Sequence, residues 1–182
     1  MIQASHAIRL VESFEPAPEE QKSRELILAL LELSAAPFSR HQFNPGHITC
    51  SAVVLDPERR RVLLMHHHRF RRWLLAGGHV EETDATLAET AGRETTEETT
   101  VRVAREIGLV GLDVHGIPAR KGKHEPFHLH HDLIFAFEAE SDAIASTDEA
   151  PQVVWATRDQ LPEYNLPPNV ARALMRAAFT LV

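Results

Sequence analysis

Cysteine is almost absent from this chain of 182 residues, whose single thiol is Cys50. One cysteine cannot form an internal disulfide, which excludes a disulfide-stapled secreted scaffold. The sequence also lacks an apolar run long enough for a signal peptide or a membrane span, and it lacks internal repeats. These absences predict a soluble, cytoplasmic protein with no membrane partner.

Basic residues are in the minority, since 19 Lys and Arg face 26 Asp and Glu, and the formal net charge is −7. An acidic surface disfavours wrapping by a nucleic-acid polymer, whose binding relies on phosphate neutralisation by Lys and Arg. It does not disfavour a small phosphorylated ligand held through a cation. A hydrophobic share of 43% is enough to fill a core.

The chain contains no Gly/Ser-rich linker that would divide it into several domains. Apolar residues recur at helical spacing near the N-terminus and predict a helix over about 16–35. We therefore predict an N-terminal helical extension, residues 1–36, packed on one domain of residues 37–182. The apolar stripe consists of Leu26, Ile27, Leu30, Leu31 and Leu33.

The rest of the chain predicts a mixture of strands and helices. Period-two and β-branched segments indicate strands, and Pro167 and Pro168 are typical of a helix start that would run to Phe179. Helices before, between and after strands indicate an α/β fold. The predicted strands are 48–55, 61–67, 73–75, 107–115, 128–138 and 152–156, and a helix is predicted over 86–99.

Three carboxylates crowd one turn of this predicted helix. Glu94, Glu97 and Glu98 stand at i, i+3 and i+4, where like charges repel. The nearest basic residue is Arg93, whereas a solvated helix face normally interleaves several lysines. The pattern indicates a hard divalent cation in front of the turn.

Gly77 and Gly78 precede the acidic turn and predict a loop whose backbone can bend sharply and come close to a ligand. The alternative is that Glu94–Glu98 is only the wet side of an amphipathic helix. The glycine pair, the loop acid Asp84 and the Arg-Glu junction oppose that alternative, because together they are typical of a metal and phosphate site.

The stretch resembles the Nudix box, in which a Gly and an acidic loop precede Arg-Glu-aliphatic-any-Glu-Glu-any-Gly. Asp84 stands where the family usually has its loop Glu. The spacing from Gly78 to Arg93 is one residue longer than usual, Thr95 replaces the aliphatic residue and Thr100 replaces the closing Gly. The matching residues are Gly78, Glu81, Arg93, Glu94, Glu97 and Glu98.

This resemblance implies a Nudix-type α/β/α sandwich with a mixed β-sheet, residues 37–182 being the Nudix hydrolase domain. It implies metal-dependent hydrolysis of a diphosphate linkage in a small nucleotide-type substrate, a nucleoside diphosphate linked to X. The implied cofactor is Mg²⁺ or Mn²⁺, and a homodimer is an open alternative to a monomer.

Roles follow residue by residue from the resemblance. Arg93, Glu94, Glu97 and Glu98 would be catalytic, with Arg93 orienting a glutamate or bracing the loop. The three glutamates and the backbone of Gly77 would hold the metal. The general base is left open among a box glutamate and two acids outside the box, Glu125 and Glu149.

A histidine-rich strand is the second chemical feature. Alternation over 128–138 places His128, His130 and Asp132 on one face, and Leu129, His131, Leu133, Phe135 and Phe137 on the other. The segment resembles a His-any-His-any-Asp-Leu stretch of a bacterial Nudix subgroup. A hydrogen-bonded structural role is favoured over metal ligation for these histidines, because carboxylates suit magnesium better than imidazole does. The predicted substrate-binding residues are Arg69, Arg72, His128 and His130.

Two rival functions remain open on sequence alone. A non-catalytic sensor would bind a nucleotide or sugar nucleotide in the same pocket, and the complete acidic triplet weighs against it. An isoprenoid diphosphate isomerase also has a Nudix fold, but its chemistry needs a cysteine beside the site. The only candidate is Cys50, which lies in an early predicted strand without an identifiable acid partner.

Overall fold

A mixed sheet of seven strands forms the centre of the molecule in a computed structural model that describes residues 2–120, 122 and 124–179. The strand order is β3-β2-β1-β6-β5, with β4 added to β1 and β7 added to β2. The β1–β6 pair is parallel and the other pairs are antiparallel. The strands are β1 Gly46–Leu55, β2 Arg61–His67, β3 Arg72–Leu74, β4 Ala76–His79, β5 Val103–Ile117, β6 His128–Ala139 and β7 Gln152–Thr157.

In the part of the chain that the structure describes, four α-helices flank this sheet, and short 3-10 helices lie at Pro18–Glu20 and Arg158–Tyr164. The sequence pattern did not indicate helix α1, which precedes the predicted helix and is separated from it by a bend that contains two prolines. Pro16 and Pro18 cannot donate the backbone hydrogen bonds that a continuous helix needs. The helices are α1 Ala4–Ser13, α2 Gln21–Leu33, α3 Leu87–Thr99 and α4 Pro168–Phe179.

The two faces of the sheet are covered by different helices. Buried residues of α1, α2 and α3 form one core with Cys50, Leu133 and Phe135, and α4 forms a second core with Val53 and Ile134. The predicted alternation along β6 is confirmed, because Leu133 and Ile134 belong to opposite cores. Helices on both faces of a mixed sheet confirm the predicted α/β/α sandwich.

The Gly77-Gly78 stretch is the main correction to the predicted elements. We expected a loop, but the two glycines lie in β4 and pair antiparallel with Cys50 and Ser51 of β1. Neither glycine has a positive φ. A larger residue does not fit at this position, because a Cβ on Gly77 would lie 2.6 Å from the carbonyl oxygen of Cys50.

The N-terminal segment is tied to the last helix through a buried carboxylate. Glu20, 2% exposed, accepts hydrogen bonds from both Nη atoms of Arg176 in α4, the shorter at 2.7 Å. A division of the chain at residue 36 stays a prediction. Within the described residues, no helix combines the length and the apolar character needed to cross a bilayer.

Helix α3 tolerates its threonines by internal hydrogen bonding. Thr86 caps the N-terminus, since its side chain accepts from the backbone N–H of Glu89 at 3.0 Å. Thr95 and Thr99 are fully buried and donate to the carbonyls of Ala91 and Thr95, at 2.8 and 2.6 Å. Back-bonding to the preceding turn satisfies hydroxyls that replace aliphatic groups.

Thr100 ends this helix in the left-handed region, with φ 62° and ψ −2°. A Cβ in that region crowds the backbone, so Thr100→Gly should raise the free energy of unfolding by about 0.4 to 1 kcal/mol. Among the described residues, the exposed side chain of Thr100 has no hydrogen-bond partner that glycine would remove. Chemical denaturation measures the change.

The matched control is Thr83→Gly, because Thr83 is an exposed turn residue without a positive φ. Glycine should be neutral or destabilising there, since it only adds freedom to the unfolded chain. Equal effects at positions 83 and 100 would contradict the strain at Thr100.

Candidate active site

Strand β4 places its backbone directly against the acidic turn of α3. The backbone N–H of Gly77 donates to Glu98 Oε2 at 2.9 Å. A Cβ on Gly78 would lie 2.5 Å from the carboxyl carbon of Glu94, so only glycine leaves room for that side chain. The box glycines and the box glutamates, separated in sequence by a loop, therefore form one contact surface.

Arg93 connects the loop, the strand and the acidic turn by five hydrogen bonds. Its Nε and Nη2 donate to the two carboxylate oxygens of Asp84 at 3.0 and 3.1 Å, and Nη2 also donates to the carbonyl of His79 at 2.8 Å. Its Nη1 bridges Glu94 and Glu97 at 3.0 and 3.2 Å. The planar guanidinium suits this set of acceptors.

Asp84 is buried beneath this guanidinium, with 2% of its surface exposed. Burial alone would raise the pKa of Asp84, but hydrogen bonds from Arg93, the Glu81 N–H and the Thr90 hydroxyl lower it below the usual range. The pKa of Arg93 is raised by the same pairing with Asp84. Both groups stay charged, and the loop is thereby fixed to the helix.

The three box glutamates differ in burial. Glu98 is 4% exposed, and burial raises its pKa to about 8, with further contributions from the negative charges of Glu94, Glu149 and Glu97. Burial also raises the pKa of Glu94. Glu97 has an exposed side chain. Burial therefore disfavours the ionised form of Glu94 and Glu98, and a cation bound at this turn would favour it.

The two acids proposed as bases outside the box lie in different surroundings. Thr147 donates its hydroxyl to the carbonyl of Glu98 at 2.7 Å, which holds the segment of Glu149 against α3. Glu149 is close enough to raise the pKa of both Glu94 and Glu98. Glu125 instead pairs with Arg69 and Arg120, at 3.2 and 3.6 Å.

Five histidines cluster on the sheet face opposite the Leu133 side of β6. The ring centroid of His47 lies 5.1 Å from that of His79, 5.0 Å from that of His128 and 5.0 Å from that of His130. The centroids of His115 and His130 are 5.6 Å apart. One potential ligand atom from each of His47, His79 and His130 lies within 4.8 Å of the other two. Among the described residues, this is the one group that meets such a spacing, and the box glutamates do not.

The charge state of this cluster follows from burial. Burial lowers the pKa of His79 to about 4 and that of His130 to about 2, and repulsion from the neighbouring histidines adds to the shift. At His115 burial also lowers the pKa, but the hydrogen bond to Asp113 at 2.8 Å and the negative charges of Asp132 and Asp113 together outweigh burial, and the pKa is raised. The rings of His79 and His130 are therefore neutral at physiological pH.

The predicted substrate-binding residues fall into two groups. Arg69 and Arg72 lie over the ring of Phe70, with guanidinium carbons 5.2 and 5.9 Å from its centroid. His128 and His130 have ring centroids 5.2 Å apart. The Arg69 partner Glu125 interacts electrostatically with His128, which links the two groups. Their role in binding substrate stays a prediction.

Cys50 lies in the core beneath the sheet and has no exposed surface. Burial raises the pKa of its thiol well above the usual value, and nearby Asp132 and Asp84 add to the shift. A thiol in this position cannot approach a substrate bound outside the core. The requirement of an isomerase for an accessible cysteine is therefore not met by Cys50.

Comparison with known proteins identifies the family of the chain. The NUDIX domain family matches residues 45–177, which is well over half of the chain. The chain belongs to the NUDIX domain family. The predictions of the Nudix family and of its hydrolase class are thereby confirmed.

Several solved structures are similar to this Nudix hydrolase in fold. A NUDIX family hydrolase from Clostridium perfringens is 20% identical, with 75% of this chain and 98% of that chain covered and a TM-score of 0.55. The NUDIX domain of Shewanella oneidensis NrtR, complexed with ADP ribose, is 19% identical, with 85% and 97% covered and a TM-score of 0.57. No curated protein matches the chain.

Sequence analysis missed His47 and His79 as candidate site residues. Both lie on strands that neighbour each other, and His47 stands directly opposite His130 in the parallel β1–β6 register. The signal that could have found them is the polar face of β1, where His47, Thr49 and Ser51 alternate with apolar residues.

Glu98 should make the stability of the chelator-treated protein fall as pH rises. Its folded-state pKa of about 8 lies above the ordinary value near 4.5, so the stabilisation is complete below about pH 4.5 and is lost up to about pH 8. Glu98→Gln should flatten this dependence in denaturation experiments at several pH values. The control Glu82→Gln, an exposed loop acid, should retain it.

A Glu98→Gln profile as steep as the parental one would show that Glu98 is ionised in the folded protein at neutral pH. In that case burial does not penalise the negative charge of Glu98, and the folded protein needs no cation to compensate it.

Proposed function

We propose that this Nudix hydrolase cleaves a diphosphate linkage in a small nucleotide-type molecule, a nucleoside diphosphate linked to X, with the help of Mg²⁺ or Mn²⁺. The observation that carries the proposal is the buried acidic turn of Glu94 and Glu98 against β4. Diphosphate groups are themselves anionic, so an acidic site can bind them only through a cation.

The donor set fits a hard divalent cation. Glu94, Glu97 and Glu98 offer carboxylate oxygens, and Gly77 offers a backbone carbonyl on the strand beside them. The raised pKa values of Glu94 and Glu98 indicate charge that lacks compensation. Arg93 compensates only part of it, because its guanidinium is also bound to Asp84 and to the carbonyl of His79.

When bound, such a cation would neutralise diphosphate charge and acidify the attacking water. The residues of the chain supply the remaining functions. Arg93 orients Glu94 and Glu97 through its Nη1, and the Gly77 N–H orients Glu98. Asp84 holds Arg93 in place from the buried side, which preorganises the acidic turn before substrate binds.

The proton of the attacking water needs an acceptor. Among the acids outside the box, Glu149 is the better candidate, because it lies near Glu94 and Glu98 without belonging to α3. Glu125 is occupied by two arginines. We assign Glu149 as the general base and Glu94, Glu97 and Glu98 as the cation-holding residues.

Glu149→Gln should lower kcat by about 10²-fold or more while KM changes little, since general base catalysis acts on the chemical step. Glu125→Gln is the matched control and should retain most of kcat. Steady-state kinetics on the best substrate measures both. Equal losses in the two variants, or a loss only at Glu125, would contradict the assignment of Glu149.

The substrate class is proposed from the charge of the surroundings and from a relative. The ADP-ribose complex of the NrtR domain shows that a protein of similar fold binds a nucleoside diphosphate sugar. In this chain Arg69, Phe70 and Arg72 form a positive and aromatic surface that suits a phosphate and a base. ADP-ribose and other nucleoside diphosphates linked to X are therefore the first compounds to assay.

A hydrolysis screen over nucleoside triphosphates, sugar nucleotides, dinucleoside polyphosphates and ADP-ribose, each with Mg²⁺ and with Mn²⁺, should reveal turnover. In oxygen-18 water the label should appear on a phosphate product after a single turnover, because water attacks phosphorus directly. Glu98→Gln should reduce the rate by roughly 10²-fold, and Glu82→Gln should not.

Three outcomes would contradict the proposal. Label on a sugar or alkyl carbon would mean cleavage of a C–O bond. An isolable phosphoryl-enzyme would mean a protein nucleophile. Tight binding of these compounds without turnover under either metal would favour a non-catalytic sensor.

A further inference from the structure

His47 carries a buried nitrogen without a partner. Its ring is fully buried, and Nδ1 lies 3.0 Å from the carbonyl oxygen of Gln42. A carbonyl only accepts, so Nδ1 must donate and Nε2 must carry a free lone pair. Nε2 has no hydrogen-bond partner among the described residues. A buried acceptor without a partner is unfavourable and points to a missing ligand.

Two further histidines converge on this ring from neighbouring strands. His130 of β6 is the direct parallel neighbour of His47, and His79 of β4 pairs with Thr49, two residues along β1. Three strands of one sheet thus supply the three rings, whose potential ligand atoms lie within 4.8 Å of one another. Strands hold side chains more rigidly than loops do, so this convergence is part of the fold.

We propose that His47, His79 and His130 form a second metal site that binds a divalent transition metal, represented by Zn²⁺, through three imidazole nitrogens. Neutral imidazole is a poor ligand for Mg²⁺ but a good one for Zn²⁺ and its neighbours in the first transition row. The proposal does not rest on the hydrolysis assigned to the acidic turn.

The spacing is compatible with coordination after small movements of the rings. Zn–N bonds of about 2.0–2.1 Å place ligand nitrogens about 3.3 Å apart in a tetrahedron, so each pair of ligand atoms needs to approach by at most about 1.5 Å. His79 and His130 are only partly buried and can make that adjustment, whereas His47 is held by Gln42. Three protein ligands leave the fourth position for water or an oxygen of a ligand.

The surroundings match what metal-binding histidines usually require. The carbonyl of Gln42 orients His47 through its second nitrogen, as partners of metal-ligating histidines commonly do. His128 and His115 border the triad, and their Nδ1 atoms lie 2.8 Å from the carbonyl oxygen of Pro126 and from Asp113 Oδ2. Among the described residues, only His47, His79 and His130 bring ligand atoms within 4.8 Å of one another, so these three rings are assigned to the metal.

The site is chemically distinct from the acidic turn, although the two share β4. Gly77 contributes backbone to the acidic turn, and His79 follows it two residues later on the same strand. One site offers oxygen ligands and the other offers nitrogen ligands. The two sites should therefore select different metals and respond to different substitutions.

The test uses the full chain, stripped with a chelator and titrated with Co²⁺ as a spectroscopic probe and with Zn²⁺ as competitor. The parent should develop the intense visible bands of four-coordinate cobalt at one equivalent, and Zn²⁺ but not Mg²⁺ should remove them. His79→Asn and His130→Asn should each weaken Zn²⁺ binding by at least about 10²-fold. His6→Asn, an exposed histidine in α1, and Glu98→Gln should bind Zn²⁺ like the parent.

Parental Zn²⁺ affinity in both triad variants would overturn the proposal, as would loss of the cobalt bands in Glu98→Gln. Circular dichroism and thermal unfolding establish that the variants are folded. Should either triad variant fail to fold, X-ray absorption at the zinc edge of the parent decides instead. Three imidazoles per zinc would support the site, and an oxygen-only shell would overturn it.

Discussion

The guanidinium of Arg93 is the contact on which the rest of the candidate active site depends. It joins the loop through Asp84, strand β4 through the carbonyl of His79, and the acidic turn through Glu94 and Glu97. Charge-assisted hydrogen bonds of this kind are roughly twice as strong as neutral ones. Because Asp84 is buried and ionised, it fixes the position of Arg93. Arg93 in turn fixes the orientation of the carboxylates of Glu94 and Glu97.

The position of β4 decides which chemistry lies on which side of the sheet. Its backbone N–H at Gly77 and the space left at Gly78 face the box helix, while His79 belongs to the histidine cluster. Alternation along a strand separates these groups by a single residue. This short glycine-containing strand therefore brings the carboxylate oxygens of the acidic turn and the imidazole nitrogens of the histidine cluster close together on separate sides of one strand.

The departures of this box from the family pattern are absorbed locally. Thr95 occupies an aliphatic position, but it is fully buried and its hydroxyl is satisfied by the carbonyl of Ala91. Thr100 takes the left-handed conformation for which glycine is usual, at a cost in backbone strain. Neither change moves Glu94 or Glu98 away from β4, so the acidic turn keeps its geometry.

Much of the fold could be predicted from sequence because local patterns were strong. The apolar alternation of 128–138, the helical spacing of Glu94, Glu97 and Glu98, and the proline start of α4 each depend on neighbours in the chain. The order of glycines, arginine and glutamates similarly predicted the family. In β4 the prediction was wrong, because pairing with β1 is a long-range contact that overrides the turn preference of Gly77-Gly78.

The sequence by itself determined the type of each chemical group and the face of its helix or strand on which that group lies. Only the tertiary structure decided which groups meet. Thirty-odd residues separate His47 from His79 and about fifty separate His79 from His130, and no local pattern relates such distant positions until strand register places them side by side. Burial has the same origin: the raised pKa of Glu98 and the neutral rings of His79 and His130 arise from desolvation, which exists only once the sheet and its helices have closed around them.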